Sequence, residues 1–132
     1  MNEHRWVIES DSGRPLTVNK IATMHRQQWA TRTREIREEW WALILQAKLP
    51  RLDRIRVEIT PLHKDRKSPQ DCAACAAHAK PCIDALVDAR VIEDDDPTHL
   101  VSVTFLPPDV CGVDGLRLVV INAGLDRSAL TD

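Results

Sequence analysis

The sequence has no tyrosine, a single phenylalanine and only four glycines among its 132 residues. It also lacks any apolar run close to the ~18–20 residues that a membrane-spanning helix needs, so we expect no membrane partner. The first six residues, MNEHRW, do not form the apolar stretch of a secretion signal. We therefore expect a cytoplasmic protein whose four cysteines remain reduced thiols.

Charge is unevenly divided along the chain, although the formal net charge is only −2. Residues 1–67 contain 14 Lys and Arg against 9 Asp and Glu, whereas residues 68–132 contain 4 against 11. A basic half is suited to binding phosphates, and an acidic half is suited to binding divalent cations. A dipolar surface without any function explains the same asymmetry, so charge alone leaves both interpretations open.

Apolar periodicity predicts two helices. Over residues 24–48 the apolar side chains recur at helical spacing and form one stripe, and Pro50 ends the pattern. The second predicted helix covers residues 72–89, with Asp71 as its N-cap. Because proline lacks a backbone N–H, we expect Pro81 to kink or divide this second helix.

Strand patterns complete the predicted fold. Four strands are predicted over residues 5–9, 54–60, 100–106 and 116–121. The last two are joined by turn-forming residues, which favours a hairpin. The sequence therefore predicts an α+β protein with a small mixed or antiparallel sheet of about four strands and two helices, in the order β-α-β-α-β-β.

The densest group of carboxylates directly follows the second predicted helix. It consists of Glu93, Asp94, Asp95 and Asp96. Neighbouring carboxylates repel one another unless a cation is close, and Mg²⁺ or Mn²⁺ prefers hard oxygen ligands of this kind. The alternative interpretation is a solvated acidic turn.

Cys72 and Cys75 form a single C-x-x-C motif at the start of the second predicted helix. A structural zinc site usually combines two such motifs, and a thioredoxin-type site follows a strand in a βαβ unit. We therefore favour buried or half-buried thiols, and a zinc- or thiol-dependent module is a distant third hypothesis for the function.

Residues 80–95, KPCIDALVDARVIEDD, resemble the helix and acidic turn of RusA-type Holliday-junction resolvases, which carry a K-x-x-h-D-x-L-x-x-A-x-h-h-x-D-D pattern. Residues 15–19, PLTVN, are similar to the P-P-S-x-N motif near the N-terminus of that family. The resemblance implies a RusA-like domain over residues 1–121, followed by a C-terminal tail over 122–132. It also implies a homodimer that cuts four-way DNA junctions with Mg²⁺, for which Mn²⁺ substitutes.

The same resemblance implies a set of site residues. Lys80 matches the family lysine, and Asp95 matches the aspartate of the acidic turn, with Asp94 beside it. The D-x-D motif of the family is reduced to Asp71, and Asp65 is a candidate for the missing carboxylate. The implied catalytic residues are Asp71, Lys80 and Asp95, and the implied metal ligands are Asp71, Asp94 and Asp95.

Phosphate binding is assigned to the basic half of the chain. The candidate DNA-binding residues are Arg26, Arg32, Arg34, Arg37, Lys64, Arg66 and Lys67. On the first long helix some of these arginines alternate with glutamates, and solvated ion pairs are the competing interpretation there.

A helix of about 18 residues is ~27 Å long, which separates Asp71 from Asp95. Both carboxylates can reach one ion within a subunit only if the helix breaks at Pro81 or the chain folds back sharply. A two-fold dimer with antiparallel helices provides another route, in which Asp71 lies beside the partner's Asp95. The leading hypothesis is thus a Mg²⁺-dependent endonuclease for branched DNA, and the alternative is a RusA-like DNA-binding or adaptor protein impaired in catalysis.

Overall fold

The computed structural model describes residues 4–124 as a mixed α+β protein with five strands and three helices. The elements in chain order are β1 (Arg5–Ser10), α1 (Val18–Ala22), α2 (Arg26–Gln46), β2 (Ile55–His63), α3 (Ala76–Asp88), β3 (Leu100–Phe105), β4 (Asp109–Val110) and β5 (Gly115–Asn122). The predicted α+β class is therefore confirmed. The element count is corrected, because the short α1 and the two-residue β4 were missed.

The sheet is mixed, with the order β1-β5-β2-β3, and β4 also pairs with β2. β5 is antiparallel to both β1 and β2, whereas β3 and β4 are parallel to β2. The predicted hairpin between the last two long strands is wrong, because β3 and β5 lie on opposite sides of β2. The parallel pairing of β2 with β3 follows from the α3 crossover between them.

The hydrophobic core lies between the sheet and the two longer helices. α2 contributes Ile36, Trp40 and Ile44, all at most 2% exposed, of which Ile36 and Trp40 belong to the stripe that the sequence pattern predicts. They belong to one buried cluster with β2 and α3 side chains such as Val57 and Leu86. Burial of this apolar stripe is the main reason that α2 forms against the sheet. None of the helices within residues 4–124 is long and apolar enough to cross a membrane.

α3 begins later than predicted, at Ala76, and its N-cap is Cys75 without a side-chain hydrogen bond. The prediction of Asp71 as N-cap is wrong, because residues 72–75 form turns before the helix. The Asp71 carboxylate instead accepts a hydrogen bond from the Ala73 N–H at 3.0 Å. Pro81 lies inside α3, which continues past it to Asp88.

β5 extends to Asn122, the first residue of the predicted tail, and Ala123 is buried. The Ala123 N–H donates a hydrogen bond to the Arg54 carbonyl. Residues 125–132 of that predicted tail lie outside the described residues.

Candidate functional site

The chain reverses direction at the end of α3, and this reversal builds the candidate site. Arg90 adopts a left-handed conformation with φ 63°, and its N–H donates to the Val87 carbonyl. The Val91 N–H donates to the Leu86 carbonyl, which completes a Schellman-type helix ending. Val91 and the next residue, Ile92, are both buried, so burial fixes the returning segment against the core.

The returning segment carries Asp95 back to the N-terminal half of α3. There the Lys80 ammonium donates hydrogen bonds to Asp95 Oδ2 and, at 2.8 Å, to Asp84 Oδ1. Lys80 and Asp84 are four residues apart on one helix face, which is why their side chains meet. The chain therefore folds back sharply after α3, which is undivided at Pro81, and this fold-back brings Asp95 to Lys80.

The charges at this site perturb one another. The hydrogen bonds that Lys80 donates to Asp84 and then to Asp95 raise the pKa of Lys80 above its ordinary value. The hydrogen bond from Lys80 lowers the pKa of Asp95. Both groups are therefore ionised at neutral pH, and a single cation holds two carboxylates together.

Arg37 of α2 extends this group of charges. Its guanidinium donates to both Asp88 oxygens, at 2.5 and 2.8 Å, and Nη1 lies 3.9 Å from Asp84 Oδ2. The two-point contact lowers the pKa of Asp88. We call Lys80, Asp84, Asp95, Arg37 and Asp88 the Lys80 cluster.

Asp94 and Asp71 occupy different positions from the Lys80 cluster. Asp94 Oδ1 accepts a hydrogen bond from the Asp95 N–H at 2.8 Å, so Asp94 orders the acidic turn. Asp71 lies in a separate cleft, which Thr17 and Asn19 also line. Within residues 4–124, no group of three or more His, Cys, Asp or Glu side chains is arranged to hold a metal ion. The structure thus brings Lys80 together with Asp95 but not with Asp71.

The acidic turn is further ordered by His99. Its Nδ1 lies 2.8 Å from Asp96 Oδ1, and its Nε2 lies 3.5 Å from Glu93 Oε2. The hydrogen bond with Asp96, followed by the charges of Asp96 and Glu93, raises the pKa of His99. Glu93 and Asp96, the two outer residues of the acidic run, therefore contact His99 rather than Lys80.

A second charged group anchors the basic loop that follows β2. Arg14 donates to Asp114 Oδ1 at 3.0 Å, to Asp65 Oδ1 at 3.3 Å and to the Ser68 carbonyl at 2.9 Å. Asp114 Oδ1 also accepts the Lys64 N–H at 2.7 Å. We call Arg14, Asp65 and Asp114 the Arg14 cluster.

The predicted DNA-binding residues fall into two regions. Lys64, Arg66 and Lys67 are exposed on the loop that the Arg14 cluster holds. Four others lie on α2, where Arg26, Arg34 and Arg37 are exposed and Arg32 is half-buried. Arg37 is already engaged with Asp88, and Asp65, the candidate substitute ligand, is engaged with Arg14.

The cysteines are free thiols within the described residues, with Cys75 and Cys82 buried and Cys72 and Cys111 exposed. Burial raises the pKa of Cys75 to about 11 and raises that of Cys82 well above its ordinary value. Both buried groups are therefore protonated and unreactive at neutral pH. The prediction of buried or half-buried thiols in the C-x-x-C motif is confirmed for Cys75 but wrong for Cys72, which is exposed.

Sequence reasoning did not assign Asp84, Asp88 or His99 to the site. The spacing of four residues from Lys80 is a signal for Asp84. Asp88 gives no local signal, because its partner Arg37 is 51 residues away. His99 lies three residues after Asp96, and this short spacing is compatible with the contact that they make.

The carboxylates of the Lys80 cluster are oxygen ligands of the kind that hard divalent ions prefer. Asp84 and Asp95 direct oxygens at one cation, the Lys80 ammonium, as two ligands of a single metal ion must. Mg²⁺ commonly takes only one or two protein carboxylates and completes its shell with water and phosphate oxygens. No protein-family model matches the chain, and no curated protein matches it.

Proposed function

We propose that this chain is a Mg²⁺-dependent, RusA-type endonuclease that cuts four-way and other branched DNA junctions as a cytoplasmic homodimer. The observation that carries the proposal is the convergence of Asp95 and Asp84 on Lys80 across the chain reversal. All three residues belong to the stretch that resembles the resolvases, and the lysine and Asp95 match its two functional positions.

In this proposal Asp95 and Asp84 hold the ion, and Asp94 keeps the turn in position through its bond to the Asp95 N–H. Mg²⁺ bound there supplies Lewis-acid polarisation of the phosphodiester. Lys80 turns its ammonium from the carboxylates to a phosphate oxygen, where it neutralises developing negative charge. Its exposed side chain is free to make this movement, since the charged end is not enclosed.

DNA is held by positive charge outside the Lys80 cluster. The loop residues Lys64, Arg66 and Lys67 are exposed, and their backbone is fixed by the Arg14 cluster. Arg26 lies at the exposed N-terminal end of α2. Contacts of this type read the shape of the phosphate backbone, so we expect affinity to fall steeply with salt.

The test is cleavage of a synthetic four-way junction with and without Mg²⁺. We expect Asp95→Asn to reduce the cleavage rate at least ~100-fold, because it removes a charged ligand and a partner of Lys80. Asp96→Asn is the matched control, since it makes the same change one residue away where the side chain contacts His99. Equal loss in both variants, or full activity of Asp95→Asn, contradicts the proposal.

A second candidate is a RusA-like protein that binds branched DNA without cutting it. It is favoured by the separation of Asp71 from the Lys80 cluster, which leaves Lys80 with two carboxylates rather than three. Junction binding by gel shift, without cleavage in Mg²⁺ or Mn²⁺, identifies this candidate. Absence of both binding and cleavage rejects the two functions together.

A further inference from the structure

β1 is an edge strand of the sheet. Its inner side pairs with β5 over all of Arg5–Ser10 without a register shift, and its outer side has no strand neighbour within residues 4–124. β3, at the opposite edge, pairs with β2 through a register shift and is followed by Pro107 and Pro108. Bulges and prolines commonly protect edge strands from pairing, and β1 has neither. Its outer edge is therefore suited to pairing with another strand.

The outward backbone groups of β1 belong to Arg5, Val7 and Glu9. The His4 carbonyl accepts a hydrogen bond from the Asn122 N–H of β5 at 2.9 Å. In antiparallel pairing, residues whose backbone groups point to the neighbouring strand alternate with residues whose groups point away. Since His4 points to β5, the even-numbered residues of β1 do so as well. The odd-numbered residues direct their N–H and C=O groups outward.

These outward residues are complementary to themselves when the strand is reversed. In an antiparallel pair of β1 strands centred on Val7, Val7 lies opposite the partner's Val7, and Arg5 lies opposite the partner's Glu9. Two-fold symmetry repeats the pair of Arg5 with the partner's Glu9. Every residue in these pairs has outward backbone groups, so each pair exchanges both of its backbone hydrogen bonds.

The opposed side chains of this register are also favourable, because directly opposite residues lie on the same face of the sheet. Val7 is 55% exposed, and its neighbour on β5 is the buried Val119. Pairing continues this row of valines across the two-fold axis. Arg5 meets the partner's Glu9, which accepts a hydrogen bond from Arg117 at 2.7 Å and, as a carboxylate, has room for a second donor.

Other registers lack these matches. A shift by one residue sets outward backbone groups opposite inward ones, so no hydrogen bonds form. A shift by two residues keeps outward groups paired, but it opposes Val7 to the partner's Arg5 or Glu9. Such a shift removes both the valine row and the pairing of opposite charges. The favoured register is thus the one that two identical strands form about a two-fold axis.

We propose that the outer edge of β1 is a two-fold interface at which a second copy of this chain adds its own β1 in antiparallel orientation. The inference specifies the surface and register of the proposed homodimer, and it rests on that part of the proposed function alone. The two sheets join into one continuous sheet with the β1 strands at its centre. Strands of six residues make a contact ~20 Å long, so we expect a small interface with micromolar affinity.

The first test is sedimentation equilibrium of the full chain. We expect a wild-type dimer, and we expect Arg5→Glu and Glu9→Arg each to weaken self-association at least ~10-fold, because each opposes like charges at both repeats. An equimolar mixture of these two variants restores association, since every opposed pair then joins opposite charges. Arg90→Glu is the control, the same charge change at an exposed residue after α3, and it keeps wild-type association.

A wild type that stays monomeric at ~200 µM overturns the proposal. Equal effects of Arg5→Glu and Arg90→Glu overturn it as well, as does a mixture that associates no better than either variant alone. Circular dichroism checks that each variant is folded. If Glu9→Arg unfolds on losing its contact with Arg117, Arg5→Glu and the second test decide.

The second test measures the register in a Cys72→Ser, Cys111→Ser background. Val7→Cys places thiols on opposed residues whose Cα atoms are ~5.5 Å apart, within the range of a disulfide. Arg5→Cys is the control on the same strand and face, where the two thiols lie four residues apart along the strands, ~14 Å. Mild oxidation is expected to link Val7→Cys chains much faster than Arg5→Cys chains. Equal rates overturn the register.

These tests separate the interface from the nuclease proposal. An Arg5→Glu chain that is folded but monomeric supports the interface whatever its cleavage activity. Junction cleavage by a wild type that remains monomeric overturns the interface and leaves the nuclease proposal standing. A wild-type dimer that forms this interface but neither binds nor cuts junctions supports the interface and rejects the nuclease.

Discussion

The two charged clusters of this protein are built from different partners. The Arg14 cluster includes backbone atoms, because Arg14 donates to the Ser68 carbonyl and Asp114 accepts the Lys64 N–H. In the Lys80 cluster, the contacts of Lys80 and Arg37 within residues 4–124 are all with carboxylate side chains. The Arg14 side chain is 22% exposed, whereas those of Lys80 and Arg37 are 58% and 45% exposed.

This difference separates a structural cluster from an adjustable one. Moving Arg14 breaks bonds that fix the course of the chain, and the cost includes unpaired backbone groups. Moving Lys80 exchanges one solvated ion pair for another, so its carboxylates can accept a different cation at little cost. In the proposed function the Lys80 cluster binds an ion and a phosphate, and its exposed ion pairs permit this exchange.

The largest expected effect on stability is at Gly115, the first residue of β5, which lies beside the Arg14 cluster. A Cβ added at Gly115, the residue after Asp114, lies 1.8 Å from the Ser10 carbonyl oxygen. We expect Gly115→Ala to lower the free energy of unfolding by about 3 kcal/mol or more, because backbone must move to relieve this overlap. Urea denaturation measures the change.

Gly112→Ala is the control for that substitution. Gly112 has φ +88° and no atom within 4 Å of the added Cβ, so only backbone strain applies. That strain is worth about 1–2 kcal/mol. An equal loss in both variants contradicts the packing account.

The next largest effect on stability tests the difference between the Arg14 cluster and the Lys80 cluster. We expect Arg14→Ala to cost about 2–3 kcal/mol of unfolding free energy, since it removes charge-assisted hydrogen bonds from a partly buried site and frees the loop after β2. Amide hydrogen exchange is expected to rise in residues 64–68. If the unfolding free energy of Arg14→Ala equals that of the wild type within experimental error, Arg14 is as adjustable as Lys80. The distinction between the two clusters is then wrong.

The third prediction is a pH dependence at His78, which joins the segment after Arg14 to α3. Its Nδ1 accepts the Leu16 N–H at 3.0 Å. Burial, and then the charge of Arg32, lowers the pKa of His78 to about 4. The folded protein therefore favours the neutral imidazole of His78. The contribution of His78 to the unfolding free energy is fully present above about pH 6.5 and is lost as the pH falls toward 4.

Between pH 7.5 and 5 we expect a loss of about 2 kcal/mol from this group. His78→Gln can still accept the Leu16 N–H but does not titrate, so its unfolding free energy falls less over the same range. Urea denaturation of both proteins at the two pH values gives the difference. Parallel pH profiles contradict the assignment to His78.

The smallest expected effect on stability belongs to the Lys80 cluster. Lys80→Ala removes two exposed ion pairs, and we expect it to change the unfolding free energy by less than about 1 kcal/mol. If the proposed function is correct, the same variant loses most of its junction cleavage. A stability loss comparable to that of Arg14→Ala identifies Lys80 as structural instead.

Local patterns predicted the elements whose stability comes from burial of a regular face. Residues 24–48 were predicted as a helix, and α2 is Arg26–Gln46, since Ile36 and Trp40 lie on one buried stripe. β2 was predicted over 54–60 but extends to His63, because its last residues pair with β4 and β5. The sequence spacing contains no information on those distant partners.

The candidate site, like the fold, could be predicted from the sequence only in part. The contact of Lys80 with Asp84 follows from helical spacing, and the resemblance to the resolvases identified Lys80 and Asp95. Their contact depends on the left-handed Arg90 and the buried Val91, a tertiary reversal that periodicity does not encode. The role of Asp71 as a ligand stays a prediction.

The strand order has a consequence for synthesis of the protein. β5, the last strand of the described residues, is inserted between β1 and β2, the first two. Until residues 115–122 have left the ribosome, β1 has no hydrogen-bonding neighbour and β2 lacks its antiparallel one. The nascent chain therefore carries two unpaired strand edges through most of translation, which makes incomplete chains the species most prone to aggregate.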